Sequence, residues 1–152
     1  MPEQAAPALV PFEYLVVRVV PRVERGECLN AGVILVSRAR RFLDARVELD
    51  RDRLVTFAPY LDAETIDLIA RQLALIPRIC AGDPAAGPIA ALGLGERWHW
   101  LASPSSTLLQ PGAVHTGLCL DPAEELDGLF DEMVRVPVAG EREPDGSPDD
   151  VV

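Results

Sequence analysis

Apolar positions first alternate with polar ones along this chain and then crowd them out. Residues 12–20 read Phe-Glu-Tyr-Leu-Val-Val-Arg-Val-Val and stop at Pro21. β-Branched and aromatic side chains at that density predict a strand with Phe12, Tyr14, Val16, Arg18 and Val20 on one face. Residues 31–36 are almost continuously apolar, the mark of a central strand. After a basic turn at 38–41, Leu43, Ala45, Val47 and Leu49 alternate with Asp44, Arg46 and Glu48, a third strand with one wet face. The three together predict an antiparallel meander.

From Asp62 the period changes. Ile66, Ile69, Leu73 and Ile76 recur at three- and four-residue spacing, Asp62 or Thr65 can cap the run, and Pro77 or Gly82 ends it, so a helix is expected. Residues 81–95 are rich in Gly, Ala and Pro and read as a connector with one helical turn near 89–92. Trp98, Trp100 and Ala102 alternate with Arg97, His99 and Leu101, which predicts a short strand with its tryptophans in the core. Residues 103–107 form a hydroxyl-rich turn and 114–120 a further strand. Asp121 as N-cap, Pro122 at the first position and the stripe Leu126, Leu129, Phe130 and Met133 define a last helix. The expected fold is α+β in two layers: a mostly antiparallel sheet of about five strands with two main helices on one face. Residues 1–11 are expected to fray, 12–137 to form the single domain and 138–152 to be an acidic, flexible tail.

Composition narrows the partners. A chain of 152 residues with a formal charge of -10 repels phosphate backbones, so no nucleic acid is expected. Five acids against one base between Glu141 and Asp150 supply part of that charge. Cys28, Cys80 and Cys119 stand far apart with no CxxC pair, as in a reduced cytoplasmic protein without disulfides. Neither a metal nor a cofactor is expected, because close ligand pairs are missing. Residues 1–11 show no basic stretch followed by an apolar run of signal length, and no later segment reaches about 20 apolar residues, so neither targeting nor membrane association is expected.

The densest polar motif is Glu24-Arg25-Gly26-Glu27-Cys28-Leu29-Asn30-Ala31-Gly32, set between two strands. A serine triad from Ser103, Ser105 or Ser106 with His99 or His115 lacks the G-x-S-x-G elbow. A Cys28 nucleophile served by His115 is geometrically conceivable. Phosphate-binding glycine motifs are absent. What survives is a weaker constellation: Arg18 and Arg25 as anion clamps, Glu27 as general base, Asn30 as orienter, His115 as acid, and Ser105, Ser106 and Thr116 as donors. The plainer use of the same residues is a bulged strand entrance at Gly26 and Gly32, with Asn30 bonding its own backbone and Glu27 pairing with Arg18.

Phe12-Glu13-Tyr14, Arg18, Pro21, Arg25-Gly26-Glu27, Asn30 and Gly32-Val33 resemble the opening signature of an uncharacterised bacterial family, numbered 3037 among the domains of unknown function. Ser103-Pro104-Ser105-Ser106, His115-Thr116-Gly117 and the Asp121-Pro122 helix extend the resemblance over residues 10–136. It implies no activity. Genes of such members often lie beside those of kinase-like proteins of the HipA type, which implies a protein partner. Two functions therefore stand: an accessory domain that binds a protein, with a kinase-like neighbour as the implied partner, through a face near Arg18, Arg25, Glu27 and His115; or an enzyme or sensor for a small phosphorylated or anionic metabolite. Both place Arg18, Glu27, Asn30 and His115 in one cluster.

Overall fold

The computed structural model describes residues 8–105 and 107–139. Most of the expected N-terminal and acidic extensions, and Ser106, lie outside the described residues. Within them run β1 (Val10–Val19), β2 (Leu29–Ser37), β3 (Phe42–Val47), α1 (Arg51–Phe57), α2 (Ala63–Cys80), α3 (Leu94–Ala102), β4 (Leu109–Pro111), β5 (His115–Cys119) and α4 (Pro122–Met133). No helix of the described residues is long and apolar enough to cross a membrane.

All pairings are antiparallel. β2 lies between β1 and β3, while β4 and β5 share the opposite edge of β1. The two short strands are halves of one line: β4 pairs with Val17–Val19 and β5 with Val10–Tyr14, and residues 112–114 stand opposite only Leu15 and Val16. A second irregularity faces it across β1, where Arg18 pairs with Asn30 but Val17 pairs with Gly32, leaving Ala31 as the extra residue of a β-bulge. The bulge inverts the side-chain alternation of β2. Leu29 and Ala31 face one core together with Ile34 and Val36, whereas Val33 and Leu35 face the other.

Both faces of the sheet therefore carry a core over its central strands. On one, Leu15, Val17 and Val19 pack with Ile66, Ile69 and Leu73 of α2, Leu54 of α1, and Trp98 and Leu101 of α3. On the other, Phe12, Val33 and Leu35 pack with Leu126, Leu129 and Phe130 of α4. This corrects the two-layer expectation: α2 and α4 flank the sheet, giving three layers. The physical reason lies in β2, whose unbroken apolar run has no polar face to turn toward water.

The helices start where their acids stand. Asp62 accepts from the Thr65 N–H at 2.8 Å and Asp121 from the Ala123 N–H at 2.9 Å, and the Thr65 hydrogen bonds hold the Asp62 carboxyl below its ordinary value. α1, with one fully buried side chain and an Asp50 cap, is too short to leave a periodic signal. The expected strand at 97–102 is instead α3. Leu94, Trp98 and Leu101 recur at helical spacing, and Arg97 donates to the carbonyls of Ile79 and Cys80 at 3.2 and 2.7 Å, satisfying the open end of α2.

If both faces carry a core, Leu73→Ala and Leu126→Ala each lower the free energy of unfolding by about 2–5 kcal/mol. Urea denaturation measures this; a loss under about 1 kcal/mol for Leu126→Ala would show that α4 is not part of the core.

Candidate functional site

A cleft of about 500 Å³ opens on the three-helix side, between α2, the end of α3 and β4. Its floor is Val17 and Ile34, one wall is Leu75, Ile76 and Ile79 of α2, and the other is Leu109 and Pro111 of β4. Trp100 and Leu101 close one end. Helical geometry explains why the two tryptophans part company: two positions on a helix differ by about 200°. Trp98 is 2% exposed in the core, and Trp100 is 50% exposed at the cleft rim.

The lip is the hydroxyl-rich turn. Ser103 Oγ donates to the His99 carbonyl at 2.7 Å as α3 ends, and Pro104 prevents the helix from continuing. Thr107 N–H donates to Ser105 Oγ, and the Thr107 hydroxyl donates to the Leu109 carbonyl. The Ser105 hydroxyl is thus left to donate to Thr107 Oγ1 at 2.8 Å. Ser105 lines the cleft, but its hydrogen bonds close within the turn. None of the described lining residues is titratable, so the cleft offers apolar surface with a polar lip and no acid or base.

The polar motif is distributed elsewhere. Arg25 and Glu27 pair with each other, both substantially exposed, an arrangement of little energetic weight. Glu27 therefore does not pair with Arg18. Arg18 lies over Gly112, where a Cβ would come within 3.3 Å of the guanidinium, and it has no ion pair among the described residues. Asn30 stands opposite Arg18 in register, but its amide donates to the Met133 carbonyl at 3.0 Å, tying β2 to the end of α4 instead of to its own backbone. His115 is opposite Tyr14 and stacks on it with ring centroids 5.2 Å apart. Thr116 is exposed opposite Glu13.

The structure thus brings Arg18 and Asn30 together and leaves Glu27 and His115 apart. Tyr14 and Arg18 are about 13 Å apart along the strand, and Glu27 lies beyond Leu29, which pairs with Val19. The polar depression containing Asn30, about 720 Å³ and shallower than the cleft, is lined by charges that are largely compensated. Arg51 pairs with Asp67, and Arg135 with Asp131 and Glu48. From the sequence, Trp100, Leu75 and Ile76 read as core positions and not as lining of a site, and Leu109 was not singled out. The signal available was the spacing of Leu94, Trp98 and Leu101, which would have turned Trp100 outward.

The thiols have contrasting surroundings. Cys28 is exposed, while Cys80 and Cys119 are buried. Burial, reinforced by the charge of Asp44, pushes the Cys80 thiol up from 9.0 to about 12, and burial also raises Cys119. Neither buried thiol is suited to attack a substrate near neutral pH.

The family model described as "Protein of unknown function (DUF3037)" matches residues 14–134, and the chain belongs to that family. No curated protein and no solved structure matches it.

In the native protein near pH 8, Cys28 alone should react promptly with Ellman's reagent, and Cys80 and Cys119 only after unfolding. The Cys80 contribution to stability is complete below pH 9.0, the ordinary thiol value, and is lost as pH rises toward about 12, because only the unfolded chain ionises readily. Prompt release of two or three equivalents of thionitrobenzoate would contradict this burial.

Proposed function

We propose that this chain is an accessory protein-interaction domain whose docking surface is the cleft between α2, α3 and β4. The observation that carries the reading is Trp100: a large aromatic side chain, half exposed, beside an apolar cleft with no titratable lining among the described residues. Aromatic anchors on concave apolar surfaces contribute most of the energy of protein interfaces. The polar lip of Ser103, Ser105 and Gln110 suits the rim of such a contact. The kinase-like neighbour implied by the family resemblance is the first partner to test. A small anionic ligand is the second reading, favoured by Arg18, exposed beside Asn30 without a carboxylate partner among the described residues.

The test is calorimetric titration of the purified domain with that kinase-like protein, alongside native mass spectrometry of the domain from its own cytoplasm. Trp100→Ala should raise Kd about 30-fold, the equivalent of about 2 kcal/mol, while exchanging the charges of Arg25 and Glu27 should leave it unchanged. Unaltered affinity in Trp100→Ala would remove the cleft from the interface. An anionic metabolite retained by the wild type and lost in Arg18→Ala would instead favour the sensor reading.

A further inference from the structure

The sheet has three free edge segments, β3 on one side and β4 and β5 on the other. A free edge offers backbone N–H and C=O groups to any strand that meets it, and proteins commonly block such edges. Two of these three are partly blocked. Glu48 N–H donates to the Ala31 carbonyl at 2.8 Å, so the even positions of β3 face β2 and Ala45 faces outward. The outward Ala45 N–H is occupied by the Asp44 carboxylate at 2.8 Å. On β4, Val20 N–H donates to Leu108 and Gly112 N–H to Val16, which turns Leu109 and Pro111 outward. The Leu109 carbonyl accepts from the Thr107 hydroxyl, and proline has no N–H to offer.

β5 is open. The extra residue at 112–114 shifts the phase, so His115, Gly117 and Cys119 pair toward β1 while Thr116 and Leu118 turn their N–H and C=O groups away. Among the described residues, no hydrogen bond reaches those four groups. The Leu118 side chain is 62% exposed, and Val114 and Leu120 on either side of it are exposed as well. Among the described residues no helix runs alongside this edge: α4 packs mainly over β2 and β3 and meets β5 at the inward Cys119. In a chain of charge -10, residues 103–120 contain no Asp, Glu, Lys or Arg.

We propose that β5 is a self-association edge, on which a second copy of the chain pairs its own β5 antiparallel about a two-fold axis at Gly117. Thr116 of each copy then stands opposite Leu118 of the other, and the outward groups of both strands satisfy one another. Charge selects the occupant. Two strongly acidic chains repel wherever their carboxylates meet, and this uncharged apolar edge is matched by another uncharged apolar edge. A basic strand would find no acid on residues 103–120 to pair with. The axis stands perpendicular to the sheet, so the two Trp100 clefts open on the same side of the dimer. The proposal does not depend on what the clefts bind.

The test is sedimentation velocity on the full chain from about 1 to about 200 µM, with amide exchange followed at Thr116 and Leu118. A dimer should form, with both amides slowing as its fraction rises. Leu118→Lys, on an exposed side chain, should keep the native circular dichroism and weaken dimerisation at least about tenfold. Thr116→Pro, which removes an outward N–H and no bond to β1, should act in the same direction, and Leu68→Lys on α2 should have no effect. A monomer throughout the range would overturn the proposal. So would a dimer indifferent to Leu118→Lys, or amides already protected in the monomer, which would mean that another part of the chain, such as residues 1–7, covers the edge.

Discussion

The fold depends on keeping β1 and β2 dry on both faces at once. Neither strand has a polar side in its central portion, so helices must lie above and below, and the alternation of β2 must be corrected once along its length. The bulge at Ala31 makes that correction. Without the extra residue, Leu29 and Ala31 would share a face with Val33 and Leu35, and one core would gain side chains that the other lost. Gly32 follows immediately because a Cβ there would stand 2.8 Å from the Val47 side chain and 3.0 Å from the Arg46 carbonyl.

The far core shows how charge is used in an acidic protein. Phe130 lies beneath two guanidinium groups, those of Arg46 at 4.5 Å and Arg135 at 5.3 Å. Each also meets a carboxylate of α4, Asp127 and Asp131 respectively. The arginines thereby cover apolar ring surface with their planar faces and neutralise helix acids with their edges. Arg46, on β3, thereby ties α4 to the sheet, whereas Arg135 closes over the end of α4 itself.

Much of this was legible in the chain. The three-strand meander, the α2 stripe and the Asp121-Pro122 start of α4 rest on local periodicity and capping, which nearby residues decide. Trp98 and Trp100 were misread because a two-residue spacing of large apolar side chains suggests a strand, whereas on a helix it means one ring inside and one outside. The layer count failed for a different reason: an apolar run like that of β2 reports burial on both faces but does not say which helix covers which. The candidate site was least legible. Glu27 is satisfied by Arg25 two residues away and Asn30 by a carbonyl at the end of α4, 103 residues on. Leu75 and Ile76 look like core in a sequence, and only the angle between α2 and α3 leaves them lining a cleft.

That angle is held by Arg97. Its guanidinium reaches two carbonyls at the end of α2, and Gly82 leaves it room, since a Cβ there would come within 3.3 Å of Nη1. The helix that forms one wall of the cleft and the helix that closes its end are joined by directional bonds, so spreading them means exposing helix-end carbonyls as well as parting apolar surfaces. Such a cleft behaves as a lock already cut: a visitor gains affinity without first ordering its host, and selectivity comes from shape at the moment of encounter.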